Sequence, residues 1–195
     1  MLGNFKKIIG HFKTICIHKW WVFYYCCKFG VPWRGFMHDW SKFHPTEFFE
    51  SVKFYNGTES PIPIAKKEQG FSFAWQHHKG HNPHHYEYWT DKYDTNTTAI
   101  PMPYEYVMEM IADWFAAGRT YNGKSFKPKD EVIWWENKKL HTPKMHAATI
   151  KLIDYIFSQI EFFTDISFMG DKFNQNVFRT QYESFIKDYD RKKFL

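Results

Sequence analysis

Three features of the sequence together predict an all-α fold. Apolar residues recur at helical spacing, strand-like alternation is almost absent, and prolines and glycines fall where helices would start and stop. At 195 residues and 44% hydrophobic content, half of it aromatic, the chain can build one bundle domain with a small appendage. Aromatic side chains bury large areas and many carry a polar tip, so the core should be thick, with hydrogen-bonded margins. The expected division is a bundle domain over 1–163 and an added C-terminal helical segment over 164–195.

The first helix is expected from about Asn4 to Phe29, ended by Gly30 and Pro32. His11, His18 and Tyr25 recur along it every seven residues and so share a face. Ile15 to Phe29 is rich in apolar residues, but His18 and Lys19 interrupt it, and it falls short of the roughly 20 apolar residues of a membrane span. No small-residue cleavage site follows. A buried helix with no membrane partner is the expectation.

Residues 31–35 form a turn into a second helix that carries Met37-His-Asp-Trp-Ser-Lys-Phe43. Pro45 opens a third helix, reaching about Tyr55, at a position where its missing N–H has no helical partner to lose. Residues 56–70 read as a loop. Phe71 to Lys79 reads as helix, Gly80-His-Asn-Pro83 as a break, His84 to about Asp91 as helix again, and the stretch up to Pro101 as a loop. Pro103 opens the clearest amphipathic helix, Tyr104 to Ala117, closed by Gly118 as a left-handed cap. Two more helices follow Pro128 and Pro143, and 165–195 is helical with an undefined start. The clusters Trp20-Trp21, Phe23-Tyr24-Tyr25 and Trp134-Trp135 read as core or helix-packing residues rather than base-stacking platforms.

A net charge of +5 suits a small anionic substrate such as a phosphate ester or nucleotide. The lysines are spread along the chain rather than gathered in a stripe, which argues against specific DNA or RNA binding. Cys16, Cys26 and Cys27 are odd in number, include an adjacent pair and form no CxxC, so neither a disulfide framework nor structural zinc follows. Reduced core thiols in a cytoplasmic protein are the simplest account.

The chemistry lies in the histidines. Five of eleven fall within Trp75-Gln-His-His-Lys-Gly-His-Asn-Pro-His-His-Tyr86, and neutral imidazoles are common transition-metal ligands. If Gly80 and Pro83 break the helix, two short helices meeting at a turn aim His78 and His85 inward, with His77 and His84 as rivals. Adjacent His38 and Asp39 can serve one ion on a helix flank if other helices complete the ligand set. His18 lies upstream, and Asp113 sits between apolar Ile111, Ala112 and Trp114, where a carboxylate is costly to bury without a cation or strong hydrogen bonds. Glu47 is a candidate to orient a ligand histidine, or simply to complement a helix N-terminus. His11, His44, His141 and His146 read as surface or loop residues.

The order His18, His38-Asp39, Asp113 resembles the HD-domain superfamily of metal-dependent phosphohydrolases, and His38-Asp-Trp-Ser-Lys42 resembles its HDxxK form. The resemblance implies a divalent transition metal (Mn, Fe, Co, Ni or Zn, one ion or two) held by His18, His38, Asp39, His78, His85 and Asp113. It implies metal-activated water attacking a nucleotide or other phosphoester. Lys42 and Asp39 are then the catalytic candidates, with Arg34, Lys79 and Arg119 as further substrate-binding cations. The segments Pro32-Trp-Arg-Gly-Phe-Met-His-Asp-Trp-Ser-Lys-Phe, Pro45-Thr-Glu-Phe and the two histidine pairs also resemble an uncharacterised bacterial and phage family of unknown function, over about Lys6 to Phe163. Two alternatives stay open: an HD-type di-iron oxygenase, and a non-catalytic nucleotide-binding protein with a structural metal. Homo-oligomerisation stays open too.

Overall fold

The computed structural model describes residues 2–90, 99–141 and 145–193. Most of the loop expected before Pro101, and the boundary expected at Pro143, lie outside them. The chain is all-α. Its helices are α1 (Leu2–Lys28), α2 (Pro32–Met37), α3 (Pro45–Phe54), α4 (Pro61–Gln69), α5 (Phe73–His81), α6 (Tyr104–Asn122), α7 (Pro128–Lys139), α8 (Ala147–Phe163) and α9 (Lys172–Lys193). Among the described residues the only β pairing is an isolated antiparallel bridge between Thr90 and Ala99.

Helix α6 is the central beam, packed on α1, α2, α7 and α8. Its apolar side, with Val107, Ile111 and Phe115, meets Val22 and Cys26 of α1, Phe29 just beyond it, and Leu152, Ile156 and Ile160 of α8 in one continuous core. Each such side chain, taken fully out of water, stabilises the fold by about 1.5–3 kcal/mol. The C-terminal segment completes this core. Helix α9 packs along α8, burying Phe178 and Tyr182. The Tyr182 hydroxyl donates to the Met102 carbonyl at 2.5 Å and meets the Thr149 hydroxyl at 3.0 Å.

Several local expectations are corrected. Residues 61–69 are helical, because Pro61 and Pro63 both fall in the first turn, where proline removes no intrahelical bond. Gly80 does not break α5. The helix ends at Asn82, whose side chain donates to the His78 carbonyl and satisfies part of the last turn. Of the expected 84–91 helix, whose last residue lies outside the described ones, only Tyr86–Trp89 is helical among the described residues, as a single 3-10 turn. Gly118 lies inside α6 and is a packing residue: a Cβ there would collide with the Phe126 ring and the Glu131 carboxylate. The helix runs on to Gly123, which takes φ 56°.

Burial also departs from the sequence reading. Helix α1 has apolar residues on two faces, so Trp20 is exposed while Tyr25 packs inward, and Trp134 is exposed beside fully buried Trp135. Only Cys26 of the three free cysteines is in the core. His146 is buried, capping α8 through its Nδ1, and His11 is buried on α1. No described helix is long and apolar enough to cross a membrane.

Candidate metal centre

The expected helix through His38-Asp39 is absent, and its absence builds the site. Helix α2 stops at Met37, His38 is extended (φ −56°, ψ 132°), and Asp39 is left-handed (φ 54°, ψ 32°) before a 3-10 turn at Trp40–Phe43. A regular helix would point two adjacent side chains about 100° apart. This break turns both towards the same point. Aspartate tolerates the left-handed region better than most residues, yet such a backbone still costs on the order of 1–3 kcal/mol.

Two donor groups meet at Asp39. One is His18, His38, Asp39 and Asp113; the other is Asp39, His78, His84 and His85. The two carboxylate oxygens divide between them. Oδ2 lies 3.0 Å from His38 Nε2 and 3.9 Å from His18 Nε2, whereas Oδ1 lies 3.5 Å from both His78 Nε2 and His84 Nε2. Asp113 Oδ1 stands 2.9 Å from His18 Nε2 and 3.5 Å from His38 Nε2. Donors about 2.1 Å from one ion, at octahedral to tetrahedral angles, stand roughly 3–3.4 Å apart, so these separations suit a shared cation.

Burial sharpens the case. The Nε2 atoms of His18, His38, His84 and His85 and both oxygens of Asp39 are buried without an aligned hydrogen bond. Asp39 Oδ2 has the Lys42 ammonium beside it, but buried polar atoms are nearly always paired, and the other five converging in one place call for an occupant that accepts electron pairs. The residues therefore fit a divalent metal, or two metals bridged by Asp39.

The other ring nitrogens are anchored. His38 Nδ1 and His84 Nδ1 both face Glu109 Oε1, at 3.0 and 3.3 Å, and Glu109 Oε2 accepts from Arg34 Nε at 2.9 Å. Glu47 takes His77 Nδ1 at 2.6 Å on one oxygen and His78 Nδ1 at 2.8 Å on the other. His38, His84 and Glu109 also form a close donor group, but the Nδ1 contacts make Glu109 an orienting partner. Donating Nδ1–H to a carboxylate leaves Nε2 as the lone-pair atom facing the centre.

Against burial, Asp39, Asp113 and Glu109 raise the His38 pKa well above the ordinary imidazole value, so a bound cation would displace a proton from His38. Burial alone would raise the Asp39 carboxyl, but His38 and Lys42 hold it well below the usual range. Asp113 is likewise held low against burial by His18 and His38. Glu109 is held down to about 2, again against burial, by its bonds from His38 and His84. Burial, then His84, pushes His85 well below the ordinary imidazole value, keeping it neutral and able to ligate.

The structure thus gathers His18, His38, Asp39, His78, His85 and Asp113. Of the rivals, His84 joins the centre, whereas His77 points away, stacked between His44 and His81 at 4.4 and 4.0 Å. Glu109 was missed by the sequence reading, although it shares the Asp113 face of α6 one turn earlier, between buried Met108 and Met110.

A cavity of about 200 Å³ opens onto both donor groups through His18, His78, His85 and Asp113. Lys42 lines it with Nζ 2.6 Å from Asp39 Oδ2, and the carboxylates of Asp39 and Asp113 overcome burial to hold its pKa above the usual value. Arg34, Lys79 and Arg119 do not line this cavity. Arg34 serves Glu109, and Arg119 donates to the Gly123 carbonyl with its guanidinium over Trp21.

A family model described as a family of unknown function (DUF5662) matches residues 7–159, a span that holds every residue of the centre and stops short of α9. No curated protein and no solved structure matches the chain.

Proposed function

The chain belongs to this family of unknown function, and we propose that it is a metal-dependent hydrolase of phosphoesters. The observation that carries the reading is Asp39, whose Oδ1, left without a hydrogen bond, and Oδ2, shared with Lys42, face two sets of inward-turned imidazoles beside an accessible cavity. His18, His38, Asp39 and Asp113 would hold one ion, and Asp39, His78, His84 and His85 a second.

A bound divalent ion would supply a water of lowered pKa and positive charge for phosphoryl oxygens. The chain's own residues do the rest. Glu109 and Glu47 fix the imidazoles from behind. Lys42 stands where the cavity meets Asp39, placed to neutralise charge building on the phosphoryl group. In the net reaction the water oxygen joins phosphorus, the ester P–O bond breaks, and the alcohol leaves with a proton from the water.

Elemental analysis of protein purified without chelator, beside an Asp39→Ala control, is the first test. One or two transition-metal ions per chain, lost in the control, followed by manganese-, cobalt- or nickel-dependent phosphate release from phosphoesters, would uphold the reading. Iron in the wild type, with oxygen consumption and no phosphate release, would replace it by the di-iron oxygenase, which the same histidine-rich donor set suits. No metal uptake would remove both.

A further inference from the structure

We propose that the cavity selects a phosphomonoester whose body is small and uncharged, and that His11 hydrogen-bonds a polar group on that body. The inference rests on the hydrolase reading and names the substrate class of the same site.

Position comes first. The cavity meets both donor groups on one side, so a phosphoryl group at the centre must leave the rest of its ester in the remaining space. That space is walled by Ile15, Pro61, Ile62, Trp75 and Ala117, with the hydroxyls of Thr14, Ser51 and Ser60 among them. An apolar wall with a few uncharged polar groups suits a body of the same character.

Charge comes second. Among the described residues lining the cavity, Lys42 is the only lysine or arginine, and its ammonium lies against Asp39 at the metal end. The other charged side chains in the lining are the carboxylates Glu47 and Asp113. A second phosphate or carboxylate on the body would be desolvated with no cation to meet it. Di- and triphosphates are therefore disfavoured on charge.

His11 is the third observation. It lines the cavity, is 7% exposed, and its Nδ1 is buried without a partner. Its ring is held between Phe48 and Tyr55, at centroid distances of 5.4 and 5.6 Å. Tyr55 is itself fixed: its hydroxyl meets Thr14 Oγ1 at 3.0 Å, and its ring packs where Gly10 has no Cβ. Burial and then Lys42 bring the His11 pKa down to about 4, so the imidazole is neutral, with one donor and one acceptor. It is too far along α1 to belong to either donor group, seven residues before His18. A rigid, neutral, unpaired hydrogen-bonding group in the wall of a substrate cavity is what recognition of an uncharged polar substituent requires.

The test is calorimetric binding to the manganese-loaded full chain, using inorganic phosphate, benzylphosphonate, its three ring-hydroxylated isomers and 4-carboxybenzylphosphonate. Benzylphosphonate should bind at least tenfold tighter than phosphate, and the carboxylated analogue at least tenfold weaker than benzylphosphonate. One hydroxylated isomer should gain at least fivefold over benzylphosphonate, a gain lost in His11→Ala and partly kept in His11→Asn. Phosphate affinity should stay unchanged in both variants, which shows that the fold and the metal end are intact. A carboxylated analogue that binds as well as benzylphosphonate would overturn the uncharged-body class with the hydrolase reading untouched. A hydroxyl gain that survives His11→Ala would overturn the role of His11. Loss of all binding, phosphate included, in metal-loaded wild type would instead bring down the hydrolase reading, and this inference with it.

Discussion

His38 Nε2 and Asp39 Oδ2 lie 3.0 Å apart although they belong to adjacent residues. The backbone permits this only because α2 ends at Met37 and Asp39 enters the left-handed region. The site is thus formed at a helix break, and its chemistry depends on a conformation the chain would otherwise avoid.

Because Asp39 splits its oxygens between the donor groups, its loss should cost more ions than loss of any other ligand. In a protein that binds two ions, Asp113→Ala and His85→Ala should each leave about one per chain, and Asp39→Ala none. Elemental analysis of the three variants reads this directly. Equal loss in all three would mean a single mononuclear centre.

Removing metal should destabilise the fold, because the four imidazole Nε2 atoms and Asp39 Oδ1 regain their desolvation penalty. At free metal about 100-fold above Kd, binding adds about 2.7 kcal/mol of stability. For a domain of this size that corresponds to a Tm rise of roughly 5–11 °C over chelator-treated protein. Thermal melts with and without manganese check it. An unchanged Tm on loading would argue against metal binding at this buried centre.

Glu109 should act as a positioning residue through His38 and His84. Glu109→Gln, which keeps the shape and loses the charge, should weaken metal affinity about 10–100-fold, measured by chelator competition. The ion count at saturation should stay at the wild-type value. A lowered count would make Glu109 a ligand itself.

Gly118→Ala should destabilise the protein by about 1–3 kcal/mol, because the new methyl meets Phe126 and Glu131. At an open helical site the same change would stabilise by up to about 1 kcal/mol. Denaturant unfolding separates the two by sign.

Glu131, outside the two donor groups, introduces a further pH dependence. Burial, then the negative charge of Asp113, raises its pKa from 4.5 to about 8. Folding therefore favours its protonated form. Its burden is absent below pH 4.5, grows as pH rises, and is complete above pH 8. Glu131→Gln should match wild type near the acid end of this window and exceed it in stability at pH 9. Denaturant unfolding at pH 6 and pH 9 should show the gap widening with pH, and a constant gap would contradict the assignment.

The ligand residues were partly legible before the fold was known. Asp113 stood out because a carboxylate among Ile111, Ala112 and Trp114 needs a reason, and the same logic applied to Glu109 would have found the orienting carboxylate. His78 was preferred to His77 and His85 to His84, but that His84 joins the centre beside His85 could not be read, because it turns on where α5 stops. That stop is set by Asn82 reaching back to the His78 carbonyl, and Gly80 signals a stop too early. His11 looked like a surface residue because nothing in its neighbourhood in sequence reveals Phe48 and Tyr55 closing over it.

By itself the sequence determined the all-α class, the positions of α1, α3, α7 and most of α6, and the residue types of a metal centre. Those properties depend on helical periodicity, on proline at first turns and on the cost of burying unpaired charge, all readable within a few residues. Tertiary structure alone decided that Asp39 faces two donor groups, that His84 enters while His77 stays out, and that His11 lines the cavity. Each of those requires side chains from separate helices to converge within a few ångströms, and convergence is set by how the helices pack, which no local pattern specifies.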